Sequence, residues 1–284
     1  MHGIHTALVT PFAEGGEIDL QAYEALCQRQ IQNGIHGLVA CGTTGETPTL
    51  SLDEQAQLLE VALSASGGRV PVTMGVGTNS TSSTLKRIEA AAKAGAAAGL
   101  MVFPYYNKPN PHGLHAHVRE AAKVGLPLVL YHVPGRTGQR LSAPLLSELA
   151  GYEGVIAVKE ATGDLKFGGE LLTRTSTAVL SGDDFTFLPL LSMGGVGCIS
   201  VVSNVDPKRT VAVYDSFVAG DLANAREQML ALFPLVEFLF CDSNPVPCKA
   251  AMAELGLCRP TVRLPLGAFV GDSPTPLLQS LGLM

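Results

Sequence analysis

Residues 154–163 read GVIAVKEATG, and this stretch indicates both the fold and the chemistry of the chain. Residues 155–158 form a short apolar run rich in β-branched side chains, typical of a strand buried on both faces. The run continues directly into Lys159, which is uncommon because removing an ammonium group from water is costly. Burial favours the neutral amine, a nucleophile that condenses with carbonyl groups. The alternative is that Lys159 extends to solvent and pairs with Glu160 or another carboxylate.

Seven further short apolar runs alternate with amphipathic helical patterns along the chain. The eight predicted strands cover residues 4–10, 36–41, 70–75, 99–103, 126–131, 155–158, 178–181 and 197–201. Strands that alternate with helices indicate parallel βαβ units, and eight units predict an α/β fold, the (β/α)8 TIM barrel. A doubly wound sheet is the alternative. No Gly-x-Gly-x-x-Gly follows the first strand, which argues against it.

The remaining sequence predicts how the chain divides. From Asp206 onward the pattern is helical to the end. We therefore expect a catalytic barrel over residues 1–220 and a C-terminal helical extension over residues 221–284. Local signals also place helix starts: Asp19 is a candidate N-cap, and Ser51 with Glu54 has the spacing of a capping box.

Composition narrows the class of partner. The chain has 284 residues, a formal net charge of −6 and no basic cluster, which argues against nucleic acid or an anionic membrane surface as a partner. No apolar stretch is long enough to span a bilayer, and the first residues lack a signal-peptide pattern. Six scattered cysteines without Cys-x-x-Cys are typical of reduced, buried thiols. We expect a cytoplasmic protein.

Polar side chains collect where the predicted strands end, which is where barrel enzymes place their active sites. Seven residues lie at the end of, or just after, five different strands: Thr43, Thr44, Tyr105, Tyr106, Tyr131, Lys159 and Asp183. Because independent strand ends meet at one rim of a barrel, their convergence favours a catalytic Lys159 over a solvent-directed one.

Six motifs together resemble the dihydrodipicolinate synthase / N-acetylneuraminate lyase family. They are GTTGE at 42–46, PYYNKP at 104–109, YHVPGRTG at 131–138, VKEATG at 158–163, SGDD at 181–184 and NPVP at 244–247. The resemblance covers essentially the whole chain, in order and with family-like spacing. Within the family, Arg-Thr-Gly at 136–138 and the paired tyrosines at 105–106 are similar to the synthase branch rather than to the sugar-acid lyases.

The resemblance implies that Lys159 forms a Schiff base with pyruvate. The derived enamine would attack L-aspartate 4-semialdehyde and, after cyclisation, release 4-hydroxy-tetrahydrodipicolinate for the diaminopimelate and lysine branch. No metal or organic cofactor is implied, because the iminium ion is itself the electron sink. The alternatives are a 2-keto-3-deoxy sugar-acid aldolase or N-acetylneuraminate lyase with the same lysine, and a barrel that only binds a metabolite or protein.

The resemblance also assigns the catalytic residues. Tyr131 would be the general acid and base, and Thr43 and Tyr106 would complete its proton relay. A phenol titrates near pH ~10 when unperturbed, so it needs such neighbours at neutral pH. Tyr106 would reach in from a neighbouring subunit, which implies a homo-oligomer, either a dimer or a tetramer. Packing alone could instead explain Tyr131, and an ordinary subunit contact could explain Tyr106.

Substrate-binding roles follow from the same resemblance. Thr44 would hold the pyruvate carboxylate, and Arg136 would grip the carboxylate of the second substrate. Gly182 and Ile199 would offer main-chain contacts in the pyruvate pocket. The alternatives are capping chemistry for the threonines and a surface ion pair for Arg136.

The histidines near these motifs are not predicted to take part in the chemistry. His112, His115 and His117 lie at a predicted helix start without an acid in register, so a metal site is not expected there. His132 stands where the family often has asparagine. We expect it to be exposed to solvent, with a local effect on pH response as the alternative.

Some family members are inhibited by L-lysine at a cleft between subunits. The matching positions here are Thr47, Pro48, Leu52, Gln55, Asn79, Ser83 and Tyr105. Leu52 and Gln55 replace histidines, and Ser83 replaces a glutamate that would pair with the effector amine. The sequence therefore predicts weak or absent inhibition by lysine.

Overall fold

A computed structural model describes residues 1–284 as a closed barrel of eight parallel strands, arranged in the order in which they occur along the chain. The strands are β1 (Gly3–Ala7), β2 (Gly37–Ala40), β3 (Val72–Gly75), β4 (Ala98–Val102), β5 (Leu128–His132), β6 (Val155–Glu160), β7 (Ala178–Ser181) and β8 (Gly197–Ser200). The predicted (β/α)8 TIM barrel is confirmed, and the doubly wound sheet is wrong.

Helices connect and follow the strands. They are α1 (Leu20–Gln32), α2 (Leu52–Ser66), α3 (Thr81–Ala94), α4 (Pro111–Ala122), α5 (Pro134–Thr137), α6 (Ala143–Ala150), α7 (Leu165–Leu172), α8 (Phe187–Ser192), α9 (Pro207–Val218), α10 (Leu222–Leu239), α11 (Val246–Glu254) and α12 (Thr275–Ser280). Single 3-10 turns occur at Thr43–Gly45, Thr47–Thr49 and Val202–Asn204. None of the helices combines the length and the apolar character that crossing a membrane requires.

The chain packs as two compact units, one of residues 1–3 and 72–199 and the other of residues 4–71 and 200–284. In the first unit, β5 is buried along its whole length and pairs with β4 and β6. Its residues 128–132 read LVLYH. This near-continuous apolar run is what a parallel strand covered on both faces requires.

The local signals at helix starts are confirmed. Asp19 accepts a hydrogen bond from the N–H of Ala22 at the start of α1. Ser51 and Glu54 form a complete capping box at the start of α2, each side chain bonding the other's backbone N–H. These caps satisfy N–H groups that the first helical turn leaves without a partner.

The C-terminal region differs from the prediction of a helix to the end. Helices α10, α11 and α12 are present, but no helix forms between residues 255 and 274. Three prolines, Pro260, Pro265 and Pro274, remove backbone donors in this stretch and disfavour a helix. The side chain of Arg263 holds the segment instead, donating to the carbonyl oxygens of Gly16 and Thr49. The proposed boundary at residues 220/221 stays a prediction.

Candidate active site

Lys159 and Tyr131 lie side by side on neighbouring strands. They are register partners in the β5–β6 pair, so their side chains project from adjacent positions. Lys159 Nζ is 4.1 Å from the centre of the Tyr131 ring. The two residues are only 5% and 6% exposed. An amine and a phenol are therefore brought together in a buried part of the barrel.

The carboxylate next in sequence has a different partner. Glu160 Oε1 accepts a hydrogen bond of 2.7 Å from the backbone N–H of Thr162. Successive residues of a strand project to opposite faces, which separates the Glu160 side chain from that of Lys159. Burial raises the pKa of the Glu160 carboxyl group. This geometry argues against the alternative in which Lys159 pairs with Glu160.

Gly182 leaves room for the lysine side chain. A Cβ atom at this position would lie 2.7 Å from Lys159 Cε and 2.9 Å from Lys159 Cγ, closer than real Cβ contacts. The Gly182 N–H donates to the carbonyl oxygen of Glu160 over 2.6 Å, which fixes the start of the loop after β7. Only glycine fits beside the stem of Lys159 without displacing it.

Ile199 lies within β8, and Asp183 lies in the loop that follows β7. Ile199 is fully buried on β8, beside Cys198, whose thiol pKa is raised by burial. Asp183 follows β7, and its Oδ1 accepts a hydrogen bond of 2.8 Å from the N–H of Phe185. Asp183 therefore fixes the loop that begins at Gly182.

Arg136 and Tyr106 are both exposed and belong to the same unit. Arg136 belongs to the four-residue helix α5 that directly follows β5. Tyr106 is 89% exposed and has a left-handed backbone, with φ of 72°. A non-glycine residue seldom adopts this conformation. At this exposure the Tyr106 ring does not belong to the buried Lys159–Tyr131 pair.

Thr43 and Thr44 belong to the other unit, in the 3-10 turn Thr43–Gly45 that follows β2. Thr44 is buried, and its Oγ1 accepts a hydrogen bond of 2.9 Å from Asn244 Nδ2. The NPVP motif at 244–247 supports the family resemblance, but the sequence alone indicates no role for Asn244. Nor does any sequence signal indicate Lys249, which forms a buried ion pair with Glu46 at the end of the threonine turn.

His132 corrects an expectation. It is 0% exposed instead of being exposed to solvent. Its ring packs against Phe103 and Phe167, with centroid distances of 6.2 Å and 5.4 Å, and neither ring nitrogen has a hydrogen-bond partner. Burial, and then the nearby charge of Arg140, lowers the His132 pKa to about 4. The imidazole is therefore neutral at physiological pH.

The histidines of α4 contact different elements. His115 Nδ1 lies 3.2 Å from the Tyr152 hydroxyl, and His115 Nε2 lies 3.3 Å from Glu148. His117 Nδ1 is 2.9 Å from the Thr81 hydroxyl. The structure contains no group of three or more His, Cys, Asp or Glu side chains arranged to hold a metal ion.

Comparison with known proteins shows similarity over almost the whole chain. The sequence model of the dihydrodipicolinate synthetase family matches residues 1–279. The chain is 42% identical to the 4-hydroxy-tetrahydrodipicolinate synthase of Methanoculleus marisnigri over 269 residues, which covers 93% of this chain and 92% of that relative.

Solved structures show the same similarity in three dimensions. The dihydrodipicolinate synthase of Thermotoga maritima superposes with a TM-score of 0.97 at 39% identity, covering 100% of this chain and 99% of that one. The chloride-inhibited dihydrodipicolinate synthase of Acinetobacter baumannii, solved with pyruvate, gives a TM-score of 0.96 at 38% identity. That comparison again covers 100% of this chain and 99% of the other.

Proposed function

This chain belongs to the dihydrodipicolinate synthetase family, and on that premise we propose that it condenses pyruvate with L-aspartate 4-semialdehyde to form 4-hydroxy-tetrahydrodipicolinate. The resemblance inferred from the motifs is confirmed, and the similar relatives carry the name of this synthase. The reaction feeds the diaminopimelate and lysine branch of amino-acid biosynthesis. The single observation that carries the proposal is the contact of 4.1 Å between Lys159 Nζ and the ring of Tyr131.

Lys159 begins the proposed reaction. The neutral amine attacks the keto carbon of pyruvate, and a water molecule leaves as the iminium ion forms. Loss of a proton from the methyl group converts the iminium to an enamine, whose terminal carbon attacks the aldehyde of the second substrate. The amino group of that substrate then adds to the imine carbon and releases Lys159, which closes the six-membered ring.

Tyr131 moves the protons in this scheme. Its position beside the lysine suits a group that delivers a proton to the departing water and then, as a phenolate, accepts the proton that the methyl group loses. Thr43, which starts the turn after β2, is proposed as the next member of the relay on the family resemblance. Tyr106 is proposed as the third member, contributed by a neighbouring subunit.

Four residues are proposed to bind the substrates. Thr44 holds the carboxylate of pyruvate, while Gly182 and Ile199 line the keto-acid pocket with main-chain atoms. Arg136 holds the carboxylate of the semialdehyde, for which its planar guanidinium suits two parallel hydrogen bonds. The position of α5 directly after the strand of Tyr131 supports this assignment.

The proposed assembly is a homo-oligomer, either a dimer or a tetramer. The exposed ring of Tyr106 supports it, because an aromatic side chain that is 89% exposed is typical of an interface residue in an isolated protomer. Sedimentation of the purified chain distinguishes these assemblies, and a monomer would contradict the shared relay.

We also propose a cytoplasmic location. Cys27 and Cys198 are fully buried, and burial raises the pKa of both thiols, that of Cys27 to about 12. Such thiols act as small apolar side chains and suit a reducing compartment.

Trapping the imine tests the proposal directly. Borohydride added with pyruvate should reduce the imine and attach one three-carbon unit to the peptide that contains Lys159, as read by mass spectrometry. The Lys159→Ala variant should give no adduct. A parallel assay of aspartate semialdehyde against 2-keto-3-deoxy sugar acids separates the synthase from a sugar-acid aldolase. An unmodified Lys159 peptide would end the Schiff-base proposal.

A further inference from the structure

A fully buried ion pair lies at the end of the threonine turn. Lys249 Nζ is 2.6 Å from Glu46 Oε1, and neither side chain has meaningful solvent exposure. Nζ also donates to the carbonyl oxygen of Thr261 over 2.7 Å and lies 4.1 Å from the centre of the Phe12 ring. Burying two charges costs free energy, so a buried pair is weak evidence for stability. A role in fixing local geometry is the stronger explanation.

Glu46 has a strained backbone conformation that its surroundings must hold in place. Its φ is 55°, in the left-handed region that costs a non-glycine residue about 1 kcal/mol or more. Its backbone N–H donates to the carbonyl oxygen of Thr43 over 3.0 Å and closes the turn. Its second carboxylate oxygen accepts from the backbone N–H of Arg263 over 2.9 Å. The strained end of the turn is thus held by both carboxylate oxygens.

The middle of the turn is held by the segment that leads into α11, the helix that carries Lys249. Asn244 Nδ2 donates to Thr44 Oγ1 over 2.9 Å. Asn244 lies just before α11, and the backbone N–H of Lys249 on that helix donates to the carbonyl oxygen of Pro245. One short segment therefore makes both contacts with the turn.

The Asn244 bond also decides what the Thr44 hydroxyl does. A hydroxyl carries one proton and two acceptor sites. With its oxygen accepting from Asn244, the hydroxyl keeps its proton for an acceptor elsewhere. A carboxylate is a strong acceptor for such a proton.

We propose that Asn244 and Lys249 are positioning residues for the threonine turn, and that Asn244 directs the Thr44 hydroxyl to donate to the carboxylate of the bound keto acid. The inference rests on the proposed binding of pyruvate by Thr44. It makes the segment that begins helix α11 part of the keto-acid site.

Reversing the direction of the hydrogen bond between Asn244 and Thr44 tests the proposed role of Asn244. Asn244→Asp puts an acceptor where the donor stands, so Thr44 must turn its proton toward residue 244. The KM for pyruvate should rise at least about tenfold, the effect of one hydrogen bond to a charged group, with a smaller change in kcat. Asn244→Ala, which removes the donor without reversing the bond, should give a smaller rise.

A double-mutant cycle shows whether the effect passes through Thr44. In a Thr44→Val background, Asn244→Asp should raise the pyruvate KM no further, because the hydroxyl that it would redirect is absent. An undiminished rise in that background would mean that the new carboxylate acts by repulsion alone, and the proposed role of Asn244 would fall.

The role of Lys249 is tested by comparing a single variant with a double variant. Lys249→Met alone leaves the buried carboxylate of Glu46 without its cation and should lower Tm. Glu46→Gln combined with Lys249→Met removes both charges. This double variant should recover most of the lost Tm while the pyruvate KM stays raised. Recovery of both Tm and KM would show that the ion pair has only a structural role.

Borohydride trapping separates failure of the inference from failure of the proposed function. If wild-type Lys159 forms no adduct with pyruvate, the proposed function has failed. If the wild-type protein forms the adduct, and the Asn244 and Lys249 variants reach half-maximal trapping at the wild-type pyruvate concentration, the inference alone is overturned.

Discussion

Lys159 Nζ lies 4.1 Å from the centre of the Tyr131 ring, and the strands that carry the two residues pair them in register. The contact therefore depends on the barrel itself and not on a flexible loop. A strand position is fixed by backbone hydrogen bonds on both sides, which holds the two reactive groups more closely than a loop could.

Removing the Tyr131 hydroxyl should separate proton transfer from packing. Tyr131→Phe keeps the buried ring against Lys159 but removes the group that moves protons. We expect kcat to fall by about 10²–10⁴-fold, the usual contribution of general acid–base catalysis. Steady-state kinetics and the rate of borohydride-trapped adduct formation measure the effect. An unchanged Tm with near-normal kcat would remove Tyr131 from the mechanism.

Adding one methyl group at Gly182 should disable the lysine. In Gly182→Ala the new Cβ lies 2.7 Å from Lys159 Cε, so the lysine side chain must move. We expect activity to fall at least about 100-fold, because small misplacements of a reacting group have effects of this size. Gly267→Ala is the matched control, since a Cβ at residue 267 meets no atom within 4 Å. Equal activity of the two variants would contradict the steric argument.

L-Lysine should be a weak inhibitor or none at all. Ser83 stands where lysine-sensitive family members carry a glutamate, so a charge-assisted hydrogen bond of about 1.5–3 kcal/mol is missing. The Gln55 side chain already donates to the carbonyl oxygen of Leu50 over 3.0 Å. Leu52 is 65% exposed and offers no polar group. Initial rates with added lysine, for wild-type and Ser83→Glu proteins, test this. Half-inhibition of the wild-type protein at micromolar lysine would contradict it.

The barrel could be predicted because each buried parallel strand is a continuous apolar run, and such runs survive in sequence as a pattern. The positions of Lys159 and Tyr131 followed from the same pattern, since both lie where a run ends. The prediction that His132 is exposed is wrong because the apolar run ends at Tyr131, whereas the strand itself includes His132. Extending the strand by one residue turns His132 to the opposite face and buries it.

The Glu46–Lys249 pair had no comparable signal. Its partners are separated by about two hundred residues, and a lysine within a short helix usually lies at the surface. Only the packing of the helix against the turn shows that this lysine is buried. Pairings of this kind depend on tertiary structure and leave no local period in the sequence.

His132 should make stability depend on pH in the acid range. Its pKa is about 4 in the folded protein and about 6.5 in the unfolded chain. Between these values the unfolded state binds more protons, so the free energy of unfolding falls as pH decreases from about 6.5 to about 4. The full difference amounts to about 3 kcal/mol. Urea unfolding at a series of pH values measures it.

A variant separates the contribution of His132 to the pH dependence of stability from the contributions of neighbouring charged groups. His132 is the register partner of the buried Glu160, whose raised pKa acts with the opposite sign, and Arg140 lies near it. In His132→Asn, which introduces the residue common at this position in the family, only the histidine titration is lost. The variant's stability should therefore fall less steeply below pH about 6.5, whatever its stability at neutral pH. Parallel curves for the two proteins would show that His132 does not titrate as a buried neutral group.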